Sequence, residues 1–172
     1  MVREAIFSAL QARDALADAR VLDLYAGSGA LGLEAASRGA AAVTLVDNNQ
    51  RAASTCRRNA AHVLGAAPRG KTVAVDVSSS PVQAFISGAR QFWDVVFLDP
   101  PYDLDNGEVS HNLEALVPRL APDAVVVLER SSRSPVPTIP AELLLDRRKE
   151  YGDTAVYWLS LSRTKRSRPK PH

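Results

Sequence analysis

The chain reads Arg20-Val-Leu-Asp-Leu-Tyr-Ala-Gly-Ser-Gly-Ala-Leu-Gly32 over the stretch that decides its fold. An apolar run typical of a buried strand passes through closely spaced glycines into a helical pattern. The glycines match G-x-G-x-x-G, and Asp47 follows Gly27 by 20 residues, where an acid that binds a ribose is expected. The stretch therefore predicts the first strand, turn and helix of an α/β sheet that binds a nucleotide-like ligand.

Outward from this stretch, apolar strands alternate with helical patterns. The predicted strands are Arg20–Tyr25, Ala42–Asp47, Lys71–Asp76, Asp94–Asp99 and Ala124–Glu129. The predicted helices are Val2–Leu16, Leu31–Arg38, Gln50–Leu64, Pro81–Gly88 and Glu108–Leu120. Repeated β-α units with short connections are typical of a doubly wound sheet.

The pattern changes after Glu129. A proline-rich loop leads to two more strand-like runs, Leu143–Glu150 and Thr154–Ser162, and the turn between them is too short for a crossover helix. These runs are predicted to form an antiparallel hairpin. The sequence thus predicts one α/β domain over residues 1–162, with a Rossmann-like, seven-stranded, mostly parallel sheet and helices on both faces; residues 163–172 are expected to be a disordered tail.

The charge is unevenly distributed. The 172 residues carry 21 Lys and Arg and 19 Asp and Glu, but five of the basic residues and no acidic ones lie in residues 163–172. The rest of the chain therefore has 16 basic and 19 acidic residues, a net charge of −3. A basic terminal arm commonly reaches nucleic acid, although a solvated, frayed end has the same composition.

Composition also disfavours several classes of protein. Cys56 is the single cysteine, which excludes an internal disulfide or a CxxC motif, and its alanine-rich helix predicts that it is buried. His62, His111 and His172 share no metal-ligand spacing, so no metal site is predicted. The N-terminus does not read as a signal peptide, and no apolar run reaches about 18 residues, so a cytoplasmic protein is expected.

Acidic residues mark the predicted carboxyl end of every parallel strand. They are Asp23, Asp47, Asp76, Asp99 and Glu129. In doubly wound sheets the ligand lies beyond these strand ends, so the five acids are expected to share one edge. Each of them alone has a simple alternative role as a helix cap or a solvated loop end.

The acids bear on which cofactor the glycine turn holds. A dehydrogenase with this motif brings a diphosphate against the helix N-terminus. The negative charge of Asp23 would repel such a group. S-adenosylmethionine carries an ammonium and a sulfonium and no phosphate, so the electrostatics favour it over NAD. Ser28 is not the nucleophile of a G-x-S-x-G elbow, because position 26 is Ala.

A second motif, Asp99-Pro-Pro-Tyr102, follows a very apolar strand. Paired prolines fix the backbone and remove two amide donors, and the next residue presents an aromatic face. A carboxylate, rigid carbonyls and an aromatic plate fit a planar heterocycle with an exocyclic amine. A stiff turn after a strand explains two prolines, but it does not explain the glycine motif upstream.

These motifs together resemble those of S-adenosylmethionine-dependent methyltransferases with a class I fold that act on exocyclic amines of adenine or guanine. Within that group the chain resembles the bacterial 16S rRNA (guanine-N2)-methyltransferase family. The blocks that carry this resemblance are Val2-Arg-Glu-Ala-Ile-Phe7, Asp23-Leu-Tyr-Ala-Gly-Ser-Gly-Ala-Leu-Gly-Leu-Glu34, Ser37-Arg-Gly-Ala40, Phe97-Leu-Asp-Pro-Pro-Tyr102 and Tyr151-Gly-Asp-Thr154. The resemblance implies that relatives carry a small basic β-hairpin ahead of the helix that begins here at Val2, and RNA affinity rather than chemistry is expected to depend on it.

The resemblance also implies roles for individual residues. The implied catalytic residues are Asp99, Pro100, Pro101 and Tyr102. The implied cofactor-binding residues are Asp23, Tyr25, Ala26, Gly27, Ser28, Gly29, Asp47, Asn48, Asp76, Val77 and Asp99. Asp99 and the Pro100 carbonyl accept hydrogen bonds from the amine, Tyr102 stacks on the base, Asp47 takes the ribose, and Asp76 with Val77 meets the adenine. Arg3 and Phe7 either close the cofactor pocket or, for Phe7, belong to the core.

The implied substrate is a guanine of 16S rRNA, by resemblance guanine 966, within a small-subunit particle and with a monomeric enzyme. The loop from Asp103 to Asn112 is expected to be mobile and to clamp RNA. Candidate phosphate contacts are Arg3, Arg13, Arg133, Arg147, Arg148, Lys149 and the basic tail, whereas Arg57 and Arg58 read as a solvated helix face. An adenine-N6 methyltransferase and a binding module without turnover remain as alternatives.

Overall fold

A computed structural model describes residues 2–65 and 73–162. The strands are β1 (Arg20–Leu24), β2 (Ala42–Asp47), β3 (Ala74–Ser79), β4 (Trp93–Leu98), β5 (Leu120–Ser131), β6 (Leu143–Tyr151) and β7 (Thr154–Leu161). The α-helices are α1 (Val2–Ala12), α2 (Ala30–Ser37), α3 (Gln50–Gly65), α4 (Val82–Gly88) and α5 (Asn106–Leu116), and a short 3-10 turn (Val117–Arg119) follows α5. None of the helices in these two ranges is long and apolar enough to cross a membrane.

The seven strands form one sheet in the order β3-β2-β1-β4-β5-β7-β6. The first five strands are parallel, and β7 and β6 add an antiparallel hairpin at one edge. The predicted fold class is confirmed. Because the chain adds strands on one side of β1 and then returns to the other side, β1 and β4 flank the point at which the strand order reverses.

Several predicted boundaries differ from the structure. Helix α1 ends at Ala12 rather than Leu16, since Asp14 adopts a left-handed φ of 53° and Ala15 N donates to Leu10 O at 2.9 Å, a geometry that closes a helix. Helix α5 begins at Asn106, so most of the segment predicted as a mobile loop is helical. The basic tail lies outside the described residues.

Two apolar layers cover the sheet. One layer packs α4 and α5 against Leu22, Leu98 and Leu128. The other packs α1 and α2, with Cys56 and Ala60 of α3, against Val43, Phe97 and Val127. Since neighbouring residues of a strand point to opposite faces, alternate apolar side chains supply the two layers, and the central strands β1, β2, β4 and β5 are buried on both sides. The outermost strands, β3 and β6, are largely exposed.

Phe7 belongs to this second layer. It is fully buried, and its ring centroid lies 5.6 Å from that of Phe97. The Arg38 guanidinium lies over the outer face of the Phe7 ring, 5.1 Å from its centroid. Of the two roles considered for Phe7, the structure supports the core.

Gly32 lets α2 approach the sheet closely. A Cβ at this position would clash with the Leu45 side chain and would lie 2.9 Å from Val43 Cγ1 and 3.1 Å from Asp23 Cβ. Contacts under 3 Å force neighbours in a packed core to shift. The helix therefore depends on the absence of a side chain at Gly32.

We expect Gly32→Ala to lower the free energy of unfolding by about 1–3 kcal/mol, because overpacking strains a core. Gly88→Ala is the matched control, since a Cβ there meets no atom within 4 Å. Urea unfolding of both variants measures the difference. Equal stability of the two variants would show that α2 does not depend on this close approach.

Candidate functional site

Two carboxylates hold the glycine turn between β1 and α2. Asp47 Oδ2 accepts a hydrogen bond from Gly27 N at 2.9 Å, and Asp47 Oδ1 accepts one from Asn49 N at 2.9 Å. Asp23 Oδ2 accepts a hydrogen bond from Gly32 N at 2.9 Å. Gly27 and Gly29 adopt φ values of 59° and 82°, the left-handed region that glycine enters without steric cost.

Asp23 is the more deeply buried of these acids, with 1% of its surface exposed. Its Oδ1 atom has no hydrogen-bond partner among the residues that the structure describes. Burial raises the pKa of this carboxyl to about 8, and the negative charges of Asp99, Glu129 and Asp47 contribute to the rise. In the structure Asp23 orders the turn; that it also faces a cofactor ammonium stays a prediction.

Other implied cofactor residues surround the same turn. Ala26 N donates to Val46 O at 2.9 Å, and Asn59 Nδ2 donates to the Ser28 carbonyl at 2.8 Å. Asn48 is exposed just beyond β2. Cys56 is buried below the turn, as predicted, with its thiol 3.2 Å from the Gly27 carbonyl.

Tyr25 directly follows β1 and has a strained backbone conformation. Its φ of 58° is uncommon for a bulky residue and places the ring between β1 and α5. Its hydroxyl accepts a hydrogen bond at 2.7 Å from Nδ2 of Asn112, which is fully buried. The contact with Asn112 joins residues 87 positions apart, and no local motif indicates it.

The Asp99-Pro-Pro-Tyr102 segment leaves β4 at the same edge. Asp99, Pro101 and Tyr102 are exposed and Pro100 is buried. Tyr102 has 83% of its surface exposed, which leaves its ring free to stack on a planar ligand. The Pro101 carbonyl is already engaged, since it accepts hydrogen bonds from Leu104 N at 3.0 Å and from Arg130 Nη1 at 3.1 Å.

Arg130 is a site residue that the sequence analysis did not identify. Its guanidinium, 5% exposed, also donates to the Leu104 carbonyl at 2.8 Å and to Asn106 Oδ1 at 3.0 Å. These bonds tie the segment after Asp99 to β5. The available signal was an arginine so close to the apolar run Ala124–Leu128, because a guanidinium that is buried with such a run needs several acceptors.

The parallel register places five strand-end residues in one row, which we call the edge row: Ser79, Asp47, Tyr25, Asp99 and Glu129. Three of them, Asp47, Asp99 and Glu129, are acids. Asp47 pairs with Ser79. Val46, Leu24, Leu98 and Leu128 pair with one another across the sheet, and Asp47, Tyr25, Asp99 and Glu129 are the next residue on each of these four strands. Partial enclosure raises the pKa of the Asp99 carboxyl, and the charge of Arg130 opposes that rise. Burial and the charge of Asp99 raise the pKa of Glu129 to about 7.

Asp76 does not belong to the edge row. The prediction that it ends the third strand is wrong, because β3 runs from Ala74 to Ser79 and Asp76 pairs with Thr44, three residues before the edge. Val77 pairs with Leu45, also inside the strand. At the edge, Ser79 takes the position beside Asp47, and the Ser78 and Ser80 hydroxyls form a 2.7 Å hydrogen bond.

The acidic residues at this end of the sheet fit a cationic cofactor better than a diphosphate. Burial is the largest cause of the raised pKa of Asp23, and repulsion by the charges of Asp99, Glu129 and Asp47 adds to it. A positively charged group nearby would relieve this repulsion, and a diphosphate would add to it. Within the described ranges no three His, Cys, Asp or Glu residues are grouped as metal ligands.

Known proteins resemble this chain over most of its length. The family model described as conserved hypothetical protein 95 matches residues 1–160. Ribosomal RNA small subunit methyltransferase D of Escherichia coli K12 is 34% identical over 154 residues, which are 90% of this chain and 73% of that protein. The chain belongs to the ribosomal RNA small subunit methyltransferase D family. The family resemblance carried by the sequence motifs is confirmed.

Solved structures extend the comparison to the fold. The structure of yhhF from Escherichia coli has a TM-score of 0.80 at 31% identity. The match covers 93% of this chain and 84% of the yhhF chain. TTHA0928 of Thermus thermophilus has a TM-score of 0.77 at 28% identity, with coverages of 93% and 85%. Magnesium protoporphyrin IX methyltransferase of Synechocystis, solved with bound S-adenosylmethionine, shares the fold at 15% identity with a TM-score of 0.73.

We expect Asp23→Asn to change how stability depends on pH. The carboxyl has a pKa of about 8 in the folded state, whereas an unfolded aspartate ionises near pH 4, about its ordinary pKa. Between these values the folded chain binds more protons than the unfolded chain, so this group makes the parent less stable as pH rises. The stability of the variant minus that of the parent should increase over this window.

Urea unfolding at pH 5, 6, 7, 8 and 9 measures this difference. Asn keeps an oxygen that accepts the Gly32 N–H bond, so the turn is retained. Asp103→Asn, which removes an exposed carboxyl, is the control. If the stability difference between Asp23→Asn and the parent does not change with pH, Asp23 does not titrate in this window.

Proposed function

We propose that this protein transfers a methyl group from S-adenosylmethionine to the exocyclic N2 amine of a guanine in 16S rRNA. The observation that carries the proposal is the place of Asp99-Pro-Pro-Tyr102, beside the strand-order reversal and level with the acids of the edge row. The names of the relatives support an rRNA substrate. Position 966, the small-subunit particle as substrate and a monomeric enzyme are parts of the same proposal.

The residues of the glycine turn and Asp47 would hold the cofactor. Asp47 accepts two backbone hydrogen bonds, and a carboxylate has about four acceptor positions, so it can also accept ribose hydroxyls. Asp23 keeps the turn in place through Gly32 N. When bound, the sulfonium supplies the electrophilic methyl group.

Asp99 and Tyr102 orient the amine of the substrate. The N2 lone pair of guanine is delocalised into the ring, so a hydrogen bond from N2–H to Asp99 localises electron density on nitrogen. Tyr102, almost fully exposed, stacks on a base that has left its own stack. Holding nitrogen in line with the methyl carbon makes the transfer effectively unimolecular. Asp99 or water accepts the proton that the product loses.

Arg147 and Lys149 of β6 are proposed to bind RNA phosphates. They pair with Trp158 and Val156, whose side chains pack in the α1 layer, so both cations lie on the face that carries Glu129. Lys149 is level with Glu129 through Val156. Two other candidates are placed differently. Arg148 Nε donates to the Tyr157 hydroxyl at 3.1 Å. Arg13 lines a cavity with Asp94 and Asp123 near the amino ends of β4 and β5, away from the edge row.

We expect Asp99→Asn to reduce kcat/KM by about 100-fold or more, because it removes the charged acceptor at the reacting amine. The assay measures methyl transfer from labelled S-adenosylmethionine to small subunits from a strain that lacks the enzyme, and mass spectrometry identifies the product nucleoside. Asp103→Asn, four residues along the same segment, should retain activity. Full activity of Asp99→Asn would overturn its catalytic role, and N6-methyladenosine as the product would support the adenine alternative.

We expect Lys149→Glu to raise KM for small subunits while kcat changes little, since phosphate contacts contribute to affinity rather than to chemistry. The slope of log binding constant against log salt concentration should fall in magnitude by about 1 or more. Arg57→Glu, on an exposed position of α3, is the charge-matched control. An unchanged salt slope for Lys149→Glu would exclude β6 from the RNA interface.

A further inference from the structure

Glu129 is the one acid of the edge row that the proposed chemistry does not use. Leu98 pairs with Leu128, so Asp99 and Glu129 follow at the same level of two neighbouring strands, which lie about 4.8 Å apart in a sheet. Phe97 and Val127, two residues earlier, both pack in the α1 layer. Since side chains alternate along a strand, Asp99 and Glu129 lie on that same face.

The sheet order places Glu129 on the substrate side of Asp99. Asp47, proposed to bind the ribose of the cofactor, lies on β2, and β1 and β4 separate it from β5. Three strand spacings amount to about 14 Å. A base that presents its amine to Asp99 from the side opposite the cofactor therefore extends over Glu129.

Glu129 has a carboxylate without a donor. It is partly buried, and among residues 2–65 and 73–162 no side chain or backbone N–H donates a hydrogen bond to it. A partly buried carboxylate that lacks a donor is unfavourable, and a ligand N–H would compensate for the lost water. The neighbouring Arg130 cannot do so, because it lies on the opposite face and is bonded to the segment after Asp99.

We propose that Glu129 determines the choice of base by accepting a hydrogen bond from N1–H of guanine, beside the N2 amine held at Asp99. This inference rests on the proposed function. Guanine presents N1–H and N2–H as adjacent donors, which match two adjacent carboxylates. Adenine presents N6–H donors beside the lone pair of N1, and that lone pair would face the Glu129 carboxylate and repel it.

The test separates N1–H from the reacting amine. 2-Aminopurine retains the N2 amine but has a lone pair at N1, so small subunits are reconstituted with 16S rRNA that carries either guanosine or 2-aminopurine at the mapped target. Methyl transfer is measured at pH 8, above the pKa of about 7 that Glu129 has in the structure, so that the carboxyl is ionised. A site built to pair with a donor rejects the analogue that lacks it, and we expect the parent to prefer guanosine by about 100-fold.

Glu129→Gln should reverse part of this preference. The glutamine amide can donate to N1 of 2-aminopurine, so the guanosine preference should narrow by about tenfold or more, with slower transfer to guanosine and faster transfer to 2-aminopurine. Glu114→Gln, at an exposed position of α5, is the control. The thermal unfolding midpoint and S-adenosylhomocysteine binding are measured for each variant to verify that fold and cofactor site are retained.

The outcomes distinguish this inference from the proposed function. A parent enzyme that produces no N2-methylguanosine overturns the proposed function and the inference with it. A parent that methylates guanosine, together with a Glu129→Gln variant that slows both substrates equally or neither, overturns only the role of Glu129. A narrowed preference with retained cofactor binding supports it.

Discussion

The parallel register of β2, β1, β4 and β5 is the constraint on which the site depends. Each of these strands contributes an apolar residue to the same level, and the chain then turns polar at the next residue on β2, β4 and β5. A shift of one residue in any strand would move its polar end residue to the other face. The site is therefore maintained by the packing of two apolar layers below it as much as by contacts within it.

Placing several carboxylates at one edge costs stability. Asp23 and Glu129 are held where burial and neighbouring acids raise the pKa of each carboxyl, to about 8 and about 7. Backbone amides of the glycine turn compensate Asp23 and Asp47, and Arg130 counteracts the charge of Asp99. Groups held in this way have unused acceptor capacity, which is the property that a donor-rich base and a cationic cofactor require.

The sequence predicted the sheet and much of the edge row because both depend on local patterns. Apolar runs fixed the strands, and acids at strand ends fixed Asp47 and Asp99. Asp76 was misplaced because the Val-Ala-Val-Asp-Val run contains no signal that marks its last residue, and only pairing with β2 shows that the strand continues to Ser79.

Contacts between distant segments were not predictable in this way. Arg130 reaches carbonyls 26 and 29 residues earlier, and Asn112 reaches Tyr25 across 87 residues. The fully buried position of Phe7 depends on Phe97, which lies on a strand 90 residues later. Such contacts arise from the topology of the fold, and the periodicity of the sequence cannot predict them.

The position of Arg130 directly after Glu129 has a consequence for how this site can change. The two residues lie on opposite faces of β5, Glu129 beside the proposed substrate position and Arg130 bonded to the segment that carries Tyr102. Substitution at one position therefore leaves the surroundings of the other largely intact. If Glu129 has its proposed role, base preference and loop geometry can be altered separately by evolution or engineering, whereas deletion of one residue from β5 would exchange the two faces and disrupt both at once.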